Sequence, residues 1–155
     1  MSLFNSILNL LDRVGRKRIV LDRESNEPYL ERYYLFLKDR NRFPFNVFLH
    51  KFLKSDPDDL HDHPWPYATL ILKGGYWEWV PVYDANGKKI AEISKWRGPG
   101  SFRFASANSF HRIELDPEVT CWTLFMPGPQ KREWGFATRQ GWVQHEQYIT
   151  NKANK

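Results

Sequence analysis

Cysteine is nearly missing from this chain, with one residue, Cys121, among 155. An internal disulfide is therefore excluded, and a reducing cytoplasm is the expected compartment. A lone thiol in a β-prone run reads more simply as a small buried strand residue than as a reactive nucleophile. Long hydrophobic runs are missing as well, so no membrane span is expected. No secretory signal with a small-residue cleavage site is visible. Charge of one sign is not blocked. The net charge of +5 comes from 23 Lys and Arg scattered against 18 Asp and Glu. With no zinc-finger spacing, helix-turn-helix or aromatic RNA-binding signature, nucleic acid is not expected as a partner. A mildly basic surface around a pocket suits an anionic small molecule equally well.

Aromatic residues, by contrast, are plentiful, at 16% of the chain with 7 Trp. Such a composition folds, and the length fits one domain with a real core. Residues 2 to 14 carry Leu3, Phe4, Ile7, Leu8, Leu11 and Val14 on one helical face, with Ser2 as a candidate N-cap and Gly15 as a stop. The basic run Arg16, Lys17, Arg18 then falls where a helix dipole favours cations. A membrane-surface helix is one reading of this segment. Its polar face is not notably cationic, so packing on the rest of the fold or on a second subunit is preferred.

From Tyr29 onward the pattern turns to β. Tyr29 to Lys38 and Phe45 to Lys54 read as strands, joined by the polar turn D-R-N-R-F-P. In the second of them Phe48, His50 and Phe52 share a face. His50 is either a core histidine bonded to backbone or a pocket acid/base or extra ligand. S-D-P-D-D-L (55 to 60) reads as a solvated acidic turn rather than a cation site. Gly74-Gly75 reads as a hairpin turn between an apolar strand and Tyr76 to Tyr83. D-A-N-G-K and R-G-P-G punctuate further strands at Ile90 to Arg97, Ser101 to Phe104, Phe110 to Leu115 and Thr120 to Pro127. R-E-W-G-F and Gly141-Trp142-Val143 suggest one more hairpin, followed by a polar tail from 144 to 155 that ends in a mobile N-K-A-N-K. Short strands with turns at this spacing point to an all-β sandwich or barrel over 29 to 143.

The most informative stretch is Leu60 to Gly75, L-H-D-H-P-W-P-Y-A-T-L-I-L-K-G-G. In a strand, residues i and i+2 face the same way, so His61 and His63 would aim two imidazoles at one point while Asp62 faces away. Convergent imidazoles suit Zn, Cu, Fe or Ni if another ligand arrives from elsewhere. Taken alone, an H-x-H is as readily a surface or hydrogen-bonded pair. Pro64 and Pro66 interrupt any ladder there and stiffen the segment around Trp65, which is either a pocket wall or a core aromatic.

The stretch resembles the first motif of the cupin superfamily, G-x5-H-x-H-x(3,4)-E-x6-G. His61, His63 and Gly74 match; Tyr67 holds the glutamate position, and Ser55 stands where the first glycine belongs. The second motif, G-x5-P-x-G-x2-H-x3-N, is met in register by Gly100 and His111, with Ser106, Asn108 and Leu115 replacing proline, glycine and asparagine. Asn108 is a mild departure, because Asn tolerates the left-handed backbone that a turn glycine supplies. The resemblance spans residues 45 to 127. It implies a double-stranded β-helix of jelly-roll type, to which the residue pattern adds the N-terminal amphipathic helix, and it implies His61, His63 and His111 as ligands of a divalent transition metal. A homodimer is a further expectation by analogy.

Three neutral imidazoles leave coordination positions open, which is a catalytic pattern, since structural zinc sites are usually closed by four protein ligands. The same loss of the glutamate occurs in three-histidine iron cupins such as the thiol dioxygenases. The expected function is therefore a non-haem Fe(II)-type dioxygenase acting on a small anionic molecule. Tyr67 and His50 are the candidate catalytic residues, and Arg103, Arg112 and Trp65 the candidate substrate-binding ones. Two alternatives stand beside it: a Zn-, Mn- or Ni-dependent isomerase or lyase, and a non-catalytic cupin for ligand sensing or protein interaction.

Overall fold

The computed structural model describes residues 3–22, 25–38, 43–56, 59–138 and 141–153. The N-cap reading of Ser2, most of the turn after Lys38 and the centre of the acidic turn at 57 and 58 lie outside these residues. In chain order the elements are α1 (Leu3–Arg13), β1 (Lys17–Leu21), β2 (Pro28–Tyr34), β3 (Phe48–Phe52), β4 (Tyr67–Lys73) and β5 (Tyr76–Tyr83). They continue with β6 (Lys89–Arg97), β7 (Phe102–Ala105), β8 (Arg112–Glu114), β9 (Cys121–Pro127), β10 (Gly135–Thr138), β11 (Gly141–Gln144) and α2 (His145–Ala153). No described helix is long and apolar enough to cross a membrane.

One wall is an antiparallel six-stranded sheet in the order β1-β2-β3-β9-β4-β7. The opposite wall is the three-stranded sheet β6-β5-β8, and the hairpin β10-β11 extends it through His61. His61 exchanges both backbone hydrogen bonds with His111, at 2.9 Å each, and also bridges to Phe136. The ladder thus runs β6-β5-β8, then residues 60 to 62, then β10-β11. Between the walls lie Leu30, Phe52, Ile71, Tyr76, Ile113, Leu115 and Cys121, all buried. Burial pushes the Cys121 thiol up to about 12, in keeping with a structural residue.

Four expectations need correction. His61 and His63 do not sit in a strand. His61 is an isolated bridge residue and His63 follows in a loop. Gly74-Gly75 does not close a hairpin, because β4 and β5 belong to different sheets. Gly74 has φ +74, and a Cβ there would lie 2.2 Å from the Thr120 carbonyl oxygen, so this crossing between sheets requires glycine. Arg16 to Arg18 is not merely a cationic helix end: α1 stops at Gly15 (φ +68), and Lys17 and Arg18 open β1. The polar tail forms α2, held by Tyr148 stacked on Phe136 at 4.1 Å and His145 stacked on Trp134 at 4.6 Å. Its last described residues, 151 to 153, are helical rather than a loose end.

Helix α1 lies on the outer face of the six-stranded sheet, with Phe4 edge-on to Trp122 at 5.2 Å. None of its residues is fully buried, and Leu3 and Leu10 remain largely exposed.

Candidate metal centre

The H-D-H tripeptide converges because its middle residue is an anchor. Asp62 is fully buried; its carboxylate accepts from the Gly135 amide at 2.7 Å and from Trp142 Nε1 at 3.1 Å. Arg132 approaches the same carboxylate at 3.3 Å. Asp62 does face away from the histidines, and in doing so it ties their loop to the β10-β11 hairpin. Gly135 must lack a side chain for this docking, as a Cβ there would meet the Val143 carbonyl oxygen at 2.1 Å. The prolines add rigidity: Pro64 and Pro66 accept, each at 2.7 Å, from the amides of Lys131 and Gly128.

The backbone pairing of His61 with His111 brings their rings to 4.9 Å, and His63 closes the triangle at 5.2 Å from His61 and 5.1 Å from His111. One ring nitrogen from each of the three lies within 4.8 Å of the others, and the Nε2 atoms of His63 and His111 are 2.9 Å apart. Burial lowers the pKa of His63 and His111 well below 6.5, and the mutual repulsion of the imidazoles adds to this. All of this suits a divalent cation: three imidazole nitrogens converge, and no carboxylate among the described residues joins the group.

The sequence reading missed the carboxylate that orients this set. Glu78, on β5, is 1% exposed, and its Oε1 lies 3.1 Å from His111 Nδ1. A histidine ligand commonly donates its second N–H to a carboxylate, which turns its other nitrogen to the metal. Glu78 is paired in turn with Arg97 Nη2 at 2.8 Å and with Arg103. The glutamate missing at position 67 is thus not replaced as a ligand. A carboxylate from the next strand reaches His111 from its Nδ1 side. A signal existed: Glu78 shares a strand face with Tyr76 and Val80, and a carboxylate on an apolar face needs a partner.

Tyr67 occupies the vacated slot, 2% exposed. Its hydroxyl accepts from Arg103 Nη1 at 2.7 Å and lies 3.3 Å from His111 Nε2. Burial raises its pKa above the usual 10, so the phenol keeps its proton.

The other candidates separate. Trp65 lines a cavity of about 370 Å³ that opens beside the histidines, together with Tyr29, Phe52, Phe125 and Trp134. His50 lines it too, from the six-stranded sheet, stacked on Phe125 at 5.0 Å and Phe48 at 5.7 Å. It is not one of the three convergent histidines. Arg103 points to Glu78 and Tyr67 and does not line the cavity. Arg112 lies on the outer side of β8 over the Trp79 ring at 4.5 Å, among Glu92 and Glu114, away from the cavity. The placement of Arg112 follows from strand alternation, which turns Ile113 inward and its neighbours out. Asn108 does not adopt positive φ; its side chain instead accepts from Ser106 Oγ at 2.7 Å.

Two facing sheets of this connectivity, enclosing three histidines from the two motif positions, make this the cupin fold. No family model matches the sequence, and neither does any curated protein sequence. Solved structures do match. The polyketide cyclase RemF from Streptomyces resistomycificus is similar with a TM-score of 0.56 and 15% identity, over 79% of this chain and 78% of that one. A cupin-2 domain protein from Rhodospirillum rubrum is similar with a TM-score of 0.56 and 16% identity, over 81% and 78%. Fe(II)-HppE with an alternative substrate gives 0.52 and 14%, and the chain spans 73% of itself but 56% of HppE.

Proposed function

We propose that this cupin is a metal-dependent enzyme of the non-haem Fe(II) dioxygenase type, acting on a small anionic molecule. The observation that carries the reading is the largely buried triad of His61, His63 and His111 at the edge of a cavity of about 370 Å³, with no carboxylate among the described residues in the cluster. A cavity of that size falls within the range of small-molecule sites. His61, His63 and His111 would hold Fe(II), which would supply redox chemistry and open coordination positions. The chain's own residues do the rest. Glu78 holds the His111 ring in one tautomer, Tyr67 keeps a proton on the cavity side, and Trp65 and Trp134 wall the site against water. The similarity to Fe(II)-HppE supports iron as the metal.

A second reading is non-redox Lewis-acid catalysis with Zn, Mn or Ni, as in an isomerase or lyase; the similarity to a polyketide cyclase favours a reaction other than oxygenation. Oxygen uptake separates the two. The Fe(II)-loaded protein, offered a panel of small carboxylates and thiols, consumes O2 with at least one of them, and His111→Ala abolishes the uptake. Turnover that persists without O2 would favour the Lewis-acid reading, and no O2 uptake with any member would overturn the dioxygenase.

A further inference from the structure

The cavity has a second polar end, facing the triad across aromatic walls. Arg32 on β2 and His50 on β3 are direct cross-strand partners, and His50 pairs in turn with Thr123 on β9. Strand alternation turns all three inward, and all three line the cavity. Arg32 Nε donates to His50 Nε2 at 3.0 Å. That bond leaves the His50 proton on Nδ1. The Nδ1 atom and the Thr123 hydroxyl are both buried and have no hydrogen-bond partner among the described residues, with His50 3% and Thr123 1% exposed. Two neighbouring buried polar groups without partners are unusual in a folded protein and call for one.

Arg32 is unusual in the same direction. No carboxylate ion-pairs with it among the described residues. Its guanidinium lies over the Phe48 ring at 4.8 Å, and its cross-strand neighbour on the other side is a second cation, Arg18. A half-desolvated guanidinium facing a cavity, with no counter-ion, attracts an anion. The two carboxylates at the cavity wall are engaged elsewhere: Asp22 with Lys54 at 3.5 Å, and Asp56 with Tyr29 and the Ile113 amide. The Phe125 ring lies between the two ends, 5.0 Å from His50 and 6.2 Å from His63.

We propose that Arg32, His50 and Thr123 form an anion subsite that holds the carboxylate of a small substrate, whose apolar body runs along Phe125 to the three-histidine centre. The proposal rests on the small-anion reading above and gives it a place and a chemical class. It also replaces Arg103 and Arg112, whose charges are matched by Glu78, Glu92 and Glu114, as the residues that would select an acid. His50 becomes a positioning donor rather than an acid/base.

The test uses the full-length protein without metal, so that coordination cannot contribute. Benzoate and its neutral isostere benzamide are titrated by calorimetry. Benzoate binds, about tenfold or more tighter than benzamide, as expected for losing one charge-assisted hydrogen bond. Arg32→Met removes the preference, Arg32→Lys keeps part of it, and Thr123→Val, which preserves shape, weakens benzoate by about threefold. Metal content of the wild type is measured separately, so a failure of the metal reading is seen apart from the loss of the anion preference. Equal affinity for the two probes, no benzoate binding by the wild type, or a preference that survives both Arg32→Met and Thr123→Val would overturn the subsite.

Discussion

The cavity has histidines at both ends, and they have been made different by what surrounds them. His63 and His111 at one end and His50 at the other are all driven to the neutral form, chiefly by burial. At the triad, three rings approach one point and Glu78 fixes His111 from behind. At the far end a single ring is stacked between phenylalanines, with an arginine on its acceptor nitrogen. Burial alone therefore does not define a metal site. Convergence does, together with a group that settles which nitrogen carries the proton.

Removing Glu78 strikes that distinction hardest. Glu78→Ala leaves Arg97, Arg103 and His111 around an uncompensated hole, and stability to urea falls by about 3–5 kcal/mol. Glu78→Gln keeps the volume; it lowers metal affinity by about 10–100-fold in a competition titration with a chelator. A metal affinity unchanged by Glu78→Gln would mean that His111 is oriented by its backbone pairing alone.

Acid should separate the metal-free protein from its unfolded state through the same histidines. Their folded pKa values lie below the unfolded value of about 6.5, so the unfolded chain binds more protons as pH falls. Their contribution is fully present above pH 6.5 or so and is lost as pH drops below it, by about 1.4 kcal/mol per pH unit for each such histidine. Urea melts between neutral and mildly acidic pH check this. His50→Phe removes one share of the slope and leaves the triad's share in place.

Tyr67→Phe makes the smallest change. It deletes one hydrogen bond from Arg103 and costs about 1 kcal/mol of stability. Metal content stays at the wild-type level while turnover falls, if the phenol is the proton donor. Unchanged turnover would reduce Tyr67 to a wall.

Much of this was legible in the chain. The β5 strand, Tyr76 to Tyr83, and the turns at Gly87 and Gly100 follow from alternation and turn chemistry, and the three convergent histidines from the resemblance to the two cupin motifs. What escaped was set by partners distant in sequence. β1 carries Lys17 and Arg18 and becomes a strand only through pairing with β2. α2 is polar and weakly amphipathic, and it is held by ring stacking on Trp134 and Phe136. Arg103 and Arg112 lie near His111 in sequence, but carboxylates from other strands take up their charges. Arg32 carries no such signal, since its place beside His50 depends on the β2-β3 register. Glu78 is the exception: its position on an apolar strand face was visible.

Metal content tests the central claim most directly. The wild type, His50→Phe and the double variant His61→Ala/His111→Ala are each offered Fe, Zn, Mn and Ni, desalted, and measured by elemental analysis. The account predicts close to one ion per chain in the wild type and in His50→Phe, and none in the double variant. A wild type that retains no metal, or a double variant that retains as much as the wild type, would contradict it.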